Sequence, residues 1–530
     1  MPNPSTTVLP TRTRYASDEP VVLEVRGPAA GRLNVRHLGD EVLAVRVDGP
    51  GLVDVGRLAP GGYGVALGQA RTAVLVSDEP RARMRYGFVA SYAADKDVAA
   101  VVDLARLLHL DAVQLYDWAY RHADLLGGGP RYADPLGQEV NLDTVRRLAA
   151  ALADVGTDAL GYAAVYGVGH DEWPAWRHDA LLRADGTPWS LGDFLSLVDP
   201  GAEDWQRHFV GDLAAAAREL GLHGFHLDQY GFPRRAALPD GTHVNLGHSF
   251  RSMVEAVRVG VPGARLVFNN VNDFPTWATA DAPQDAVYVE VWPPHTTLGS
   301  LARVVTRARA AGRGRPVVIA AYQHVYDTAP VAEADRATAL TMATLFSHGA
   351  TQLLAGESGH VLVDPYYVRN HAAGPATLDL LHRWYDFLVE HDELLLAPGA
   401  ADVTGAWVGA YNEALDVTFE AVPTSDEPVA GTVWRRVVEV EGHLVVHLIN
   451  LAGQADTEWD APRAEPFDPG PGTLRVRRAG PAVPVVRVAD PDRGGRLERI
   501  EVAQDGDLAV ATLPAPRLWQ MVVVDLEGER

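Results

Sequence analysis

The chain has 530 residues, 47% of them hydrophobic and 22% charged, with 50 glycines and 36 prolines; this is the balance of a turn-rich globular protein of two or three domains, not of a fibrous or disordered one. Its 46 basic and 69 acidic side chains leave a formal charge of −23, which repels nucleic acid and anionic membrane and favours neutral or cationic partners. Cysteine is absent, so disulfides, zinc–thiolate sites, iron–sulfur clusters and thiol nucleophiles are excluded together.

The opening residues MPNPSTTVLPTRTRYASDEP lack the apolar stretch of a signal peptide, and no later run reaches the roughly 18 apolar residues of a membrane span. A soluble chain is expected, cytoplasmic as written or extracellular if a leader has been removed. From Val21 to Ser77 the short alternating runs VVLEV, GRLNV, EVLAVRV, YGVAL and TAVLV, with a turn at Pro60-Gly61-Gly62, predict a small antiparallel sandwich over residues 1–80.

From Arg81 the pattern changes to apolar runs alternating with amphipathic stretches, the mark of a parallel sheet covered by helices. Eight runs are counted, RYGFVASY, DAVQLYDW, DALGYAAVYGV, GFHLDQYG, RLVFNNVN, DAVYVEVW, RPVVIAAYQ and GATQLLAGES. Stretches such as DVAAVVDLARLLHL and EDWQRHFVGDLAAAARELG lie between them. Together they predict a (β/α)8 TIM barrel over 81–396. After TLDLLHRWYDFLVEHDELL the period returns to two in VVEVEGHLVVHLINL, TLRVRRA, PVVRVAD, LAVATL and WQMVVVDL, which predicts a second β-sandwich over 397–530.

A barrel of this kind does its chemistry at the C-terminal strand ends. Those ends carry Asp117, Trp118, Tyr120, Arg121 and His122 (strand 2), Tyr166 (strand 3), and Asp228, Gln229 and Tyr230 (strand 4). Strand 5 ends in Asn269, Asn270, Asn272 and Asp273, strand 6 in Glu290 and Trp292, strand 7 in Tyr322, and strand 8 in Glu357. Carboxylates, amides and aromatic rings with few lysines suit a sugar, whose C–H face stacks on rings and whose hydroxyls bond to amides and acids. No Gly-rich phosphate loop follows any strand, and no HExxH or close histidine pair suggests a metal; neither cofactor nor metal is expected.

Glycoside hydrolysis needs two carboxyl groups flanking the scissile bond. Asp228 and Glu290, each closing an apolar strand, are the natural pair: Glu290 beside Trp292 as the protonated acid, Asp228 beside amides as the ionised nucleophile. Asp117, Asp273, Asp327 and Glu357 are read as orienting or binding groups. Trp173, Trp176 and Trp189, in the long connection after strand 3, either pack that loop or form a stacking wall.

The ordered segments LYDWAYRH, RYADPLG, GYAAVYG, GFHLDQYG, VNDF and VYVEVWPP resemble glycoside hydrolase family 66 across the whole barrel. The resemblance implies an immunoglobulin-like domain before the barrel and a Greek-key sandwich after it. It further implies retaining cleavage of α-1,6-glucosidic linkages in dextran or isomaltooligosaccharides, with Asp228 as nucleophile, Glu290 as acid/base, and Asp117, Trp118, Tyr120, Arg121 and His122 around the cleaved bond. Cycloisomaltooligosaccharide glucanotransferase activity is the first alternative, and non-catalytic binding of an α-glucan the second. No connection within the barrel is long enough to hold the carbohydrate-binding insert often found in cyclising members, which turns the expectation toward hydrolysis.

Overall fold

The computed structural model describes residues 6–409, 411–478 and 480–526. Its centre is a closed ring of eight parallel strands: β1 (Tyr86–Val89), β2 (Ala112–Leu115), β3 (Asp158–Ala164), β4 (Gly224–Asp228), β5 (Arg265–Val271), β6 (Ala286–Glu290), β7 (Val317–Ala320) and β8, which comes in two pieces, Thr351–Gln352 and Ala355–Gly356. Neighbours in sequence are neighbours in the sheet from β1 to β7. The first piece of β8 pairs with β7 and the second with β1, which closes the barrel. Gly356 makes that last pairing possible, because a Cβ there would stand 2.0 Å from the Phe88 carbonyl oxygen.

Period-two alternation sorts the strand residues. Tyr86, Phe88, Leu160, Tyr162, Val267 and Tyr288 pack inside the ring, while Phe225, Leu227, Leu266, Phe268, Val287 and Val289 pack outward under the helices. Seven helices form that outer layer: α1 (Val98–Leu107), α2 (Leu142–Asp154), α3 (Glu203–Leu220), α4 (Leu246–Gly260), α5 (Leu298–Gly312), α6 (Val331–Ser347) and α7 (Pro375–Glu390). Between β5 and β6 the chain is too short for a full helix and forms only Thr276–Thr279.

Among the described residues, seven strands before the barrel form sheets of three and four strands around a common core that includes Tyr15, Leu23, Val35 and Val65. One of them, Thr7–Pro10, falls in the stretch that the sequence pattern leaves without structure. It is a four-residue edge strand ending in proline and pairs on one side only, with Val22–Arg26, so its alternation is too short to stand out. The chain after the barrel folds into two further sheets, of seven and four strands, over a core of Val417, Val437, Val446, Leu474 and Val522. Leu415–Phe419, with clean in–out alternation, is a strand there that the sequence reading passes over.

Helix α7 ties the parts together. Arg71 pairs with Glu390 at 2.7 Å and the Ala73 N–H donates to Asp386, so the N-terminal sheets lie on this helix, and the Gly62 N–H donates to Glu393 just beyond its end. Arg383 and the Trp384 indole both reach Asp492 of the C-terminal unit. With partners on two sides, every residue from Trp384 to Glu390 is buried. Among the described residues no helix is long and apolar enough to cross a membrane.

At the N-terminal end of the barrel, Arg85 and Asp111 form a fully buried pair at 2.8 Å. Asp111 also accepts the Arg85 backbone N–H, and the Arg85 Nε donates to the His109 carbonyl. Removing one member of such a pair strands the other charge in a dry site. Arg85→Ala is expected to destabilise the barrel by about 3–5 kcal/mol and to lower its thermal midpoint by roughly 5–8 °C, as read by calorimetry.

Candidate active site

The mouth of the barrel holds a cavity into which β2, β3, β4, β5 and β6 each deliver a polar or aromatic side chain, with Tyr322 added from the turn after β7. At its centre stands Asn269 of β5. Its side-chain amide donates to Asp228 Oδ1 and to Glu290 Oε2, each at 2.7 Å. Those two carboxyl oxygens are therefore separated by no more than twice that length, 5.4 Å. The second oxygen of Asp228 accepts from the Tyr162 hydroxyl at 2.7 Å. The second oxygen of Glu290 accepts from the Trp292 indole at 3.0 Å and the Tyr322 hydroxyl at 3.2 Å.

Burial pushes both acids above the ordinary carboxylate range, and they part company in the next cause. For Asp228, hydrogen bonds from Asn269 and Tyr162 favour the charged form and hold the rise back. For Glu290, the negative charge of Asp228 adds to burial and raises it further. The two causes together favour a proton on Glu290 over one on Asp228.

Other groups complete the wall. Asp117 closes β2 with a left-handed backbone (φ 45°) and lies in the cavity. Burial first, then the nearby Asp134 and Asp228, push its carboxyl up to about 8, so at neutral pH it can both donate to and accept from a sugar hydroxyl. His122 also lines the cavity. Burial and then Arg121 hold its imidazole down to about 4, which leaves it neutral. Gln229, Tyr230, Trp292 and Tyr322 line the same space.

The remaining residues expected from the sequence stand elsewhere. Trp118 is fully buried behind β3, where its indole donates to the Tyr162 carbonyl and Gly161 leaves it room. Tyr120 packs edge-on against Tyr132, with the Arg121 guanidinium over its other side. Tyr166 bonds to the Phe232 carbonyl and the Tyr230 N–H, and stacks on the Tyr230 ring, which it positions. Asn270 points outward to Tyr288 O and Thr279. Asn272 braces the Trp292 N–H and Pro293 O. Asp273 is paired with Arg307 outside the cavity. Glu357 is tied up by the Ala90 N–H, Ser91 and Lys96.

Trp173, Trp176 and Trp189 settle into packing of the loop, Trp176 edge-on to Trp205 and Trp189 against Phe232. The cavity wall from that connection is instead Leu191, Phe194 and Leu195. Of the two residues that hold the carboxylates, Asn269 was legible from strand phase, whereas Tyr162 was not singled out in the sequence. In β4, His226 and Asp228 share a face while Phe225 and Leu227 pack outward, and the same phase in β5 selects Asn269, not Asn270, as the inward amide. Among the described residues no group of three or more histidine, aspartate and glutamate side chains is placed to hold a metal ion.

Asp228 and Glu290 thus face each other across the barrel mouth within a lining of aromatic and amide side chains. The chain belongs to glycosyl hydrolase family 66, whose family model matches residues 61–523. A cycloisomaltooligosaccharide glucanotransferase of Niallia circulans is 26% identical over 329 residues, 57% of this chain and 33% of that one. A dextranase of Streptococcus salivarius is 22% identical over 551 residues, 87% of this chain and 66% of that one. The chain thus spans about a third of the length of the first of these relatives. The solved structure of a Paenibacillus sp. cycloisomaltooligosaccharide glucanotransferase complexed with cycloisomaltoheptaose superimposes with a TM-score of 0.86 at 18% identity, covering 98% of this chain and 99% of that one. An α-amylase of Geobacillus thermoleovorans matches with a TM-score of 0.53 at 11% identity, covering 84% and 99%. At these identities the structural likeness is one of fold.

Burial raises the Asp228 carboxyl pKa, and the Tyr162 hydroxyl, after Asn269, holds that rise back through a hydrogen bond to the charged form. Removing that bond raises the pKa, so Asp228 charges later as pH rises. Tyr162→Phe is expected to move the acid limb of the kcat/KM profile upward by about one pH unit, since a hydrogen bond to a charged group contributes about 1.5 kcal/mol or more.

Proposed function

We propose that the protein cleaves α-1,6-glucosidic bonds of dextran or isomaltooligosaccharides with retention of configuration, through a covalent glucosyl-enzyme on Asp228. The observation that carries this reading is the Asn269 bridge, which limits the facing oxygens of Asp228 and Glu290 to 5.4 Å. Double displacement uses carboxyl groups about 5–5.5 Å apart, whereas inversion needs about 6.5–9.5 Å to admit a water between acid and base.

In the first step the ionised Asp228 attacks the anomeric carbon while the bond to the leaving oxygen breaks and Glu290 gives that oxygen its proton. In the second, the now ionised Glu290 takes a proton from water, the water oxygen bonds to the anomeric carbon, and Asp228 departs as carboxylate. The Asn269 amide reaches both acids and so steadies whichever of them is charged in each half-reaction. The choice of α-1,6 linkage is supported by the named activities of the relatives, a dextranase and a cycloisomaltooligosaccharide glucanotransferase. The second of these also favours transfer to a sugar hydroxyl as a second reading, since the same glucosyl-enzyme accepts either nucleophile. We read the flanking units as an immunoglobulin-like and a Greek-key sandwich.

Incubation of dextran or isomaltooligosaccharides with the wild type should release reducing ends, and the first-formed sugar should be the α-anomer by proton NMR; an initial β-anomer overturns retention. Asp228→Asn should lower kcat by about four orders of magnitude, and equal product from both proteins would remove Asp228 from the mechanism. Wild-type protein that binds isomaltose but releases no reducing ends at any pH would establish a binding protein instead.

The pH profile follows from the same pair. Catalysis needs Asp228 charged and Glu290 protonated, so activity falls as pH drops through the raised Asp228 value and as pH rises through the still higher Glu290 value. A bell displaced above the ordinary carboxylate range is expected. With an activated aryl glycoside, which needs no proton on departure, Glu290→Gln should lose the alkaline limb of the glycosylation step.

A further inference from the structure

We infer that the leaving-group side of the cleft is built jointly by the barrel and the C-terminal sandwich, whose segment Glu458-Trp459-Asp460 forms the far wall of a subsite for the departing or accepting sugar. The inference rests on the glycosidic reading of Asp228 and Glu290.

Beside the catalytic cavity lies a second one of about 380 Å³, within the usual size of a small-ligand site. The two share Trp292, Tyr322 and Pro365, whereas Asp228, Asn269 and Asp117 line only the first. Trp292 and Tyr322 are also the residues that bond to Glu290 Oε1. Glu290 itself lines only the first cavity, so the partition stands one side chain beyond the acid, at Trp292 and Tyr322. A sugar with its anomeric carbon at Asp228 must place its leaving oxygen within reach of Glu290, so the rest of the leaving chain continues past Trp292 and Tyr322 into the second cavity.

The chemistry of that cavity is that of a sugar site. Trp292 and Trp459 offer aromatic surface, and His324, Asp364, Glu458 and Asp460 offer polar groups for hydroxyls. The sandwich segment is fastened to the loops it faces. Leu298 N–H donates to Thr457 O, Trp459 N–H to Thr296 O, and the Trp459 indole to His295 O. Asp460 Oδ1 accepts the Val325 N–H at 2.8 Å after β7. The wall is thus held from both the β6 and the β7 connections, which pre-organises it. By contrast, the Glu458 carboxylate and the His324 imidazole are exposed and make no hydrogen bond or ion pair with other described residues, so both can bind a sugar without giving up an internal partner.

The test compares isomaltooligosaccharides, which fill the leaving-group side, with a 4-nitrophenyl glycoside of isomaltose, which places only the aryl group there. In Glu458→Ala with His324→Ala, two exposed positions whose loss leaves the fold intact, the ratio of kcat/KM on isomaltooligosaccharide to that on the aryl glycoside should fall about tenfold. Transfer of the glucosyl unit to added isomaltose should fall with it. An unchanged ratio in a wild-type-active protein overturns the subsite and leaves the catalytic reading standing. A wild type without activity on isomaltooligosaccharides overturns the catalytic reading and the subsite with it.

Discussion

One side-chain amide organises this active site. Two carboxyl groups whose facing oxygens lie no more than 5.4 Å apart repel each other when both are charged, and the Asn269 amide answers that by donating to both. Its own carbonyl oxygen is left buried without a partner, a cost accepted for two bonds to carboxyl groups. The arrangement depends on register. Phe268 faces Leu227 of β4, and Val271 faces Glu290 of β6, so the inward phase of β5 falls on Asn269. A slip of one residue would turn Asn269 toward the helices and bring Asn270 inward, leaving both acids without their shared donor.

The same phase rule shows what the sequence could and could not convey. Eight apolar runs, their spacing and the strand-end acids were plain to read, because a strand buried on both faces is nearly continuous in Val, Leu, Phe and Ala. Polar residues just past strand ends were harder. Trp118, Asp273 and Glu357 sit where catalytic groups are often found, yet one packs behind β3, one pairs with Arg307, and one anchors Lys96 and the first barrel strand. After a strand ends, alternation ends too, and the direction of a side chain is set by the turn; Asp117, Asn272, Asp273 and Glu357 all have left-handed backbones. Tyr162 lay in the middle of a strand and looked like core, which it is, apart from the hydroxyl that reaches Asp228.

The flanking sheets act on the barrel through α7 and through the mouth loops. α7 looks amphipathic in sequence, as a solvent-facing barrel helix should, but its C-terminal half is enclosed because the N-terminal sheets cover one side and the C-terminal unit another. Enclosure brings acids with it. Glu390, paired with Arg71, is pushed by burial up to about 7. Such a pair contributes less to net stability than its short distance suggests, since burial of both groups offsets much of their attraction.

At the other end of the molecule, contact between the C-terminal sandwich and the β6 and β7 loops has a chemical consequence. On the proposed mechanism the glucosyl-enzyme waits on Asp228 until an oxygen nucleophile enters beside Glu290. Water and a sugar hydroxyl compete for that one position, and the winner is decided by how well the second cavity holds a sugar relative to how readily it refills with solvent. Trp292 and Tyr322 belong to both sides of this choice, because they hold the acid and also face the incoming group. Hydrolysis and transfer therefore need no difference at Asp228 or Glu290. On the inferred subsite the difference lies with the wall that the sandwich places opposite Trp292, and divergence between the two activities on this fold is then expected to concentrate in the loop around Trp459 rather than in the Asp228 and Glu290 pair.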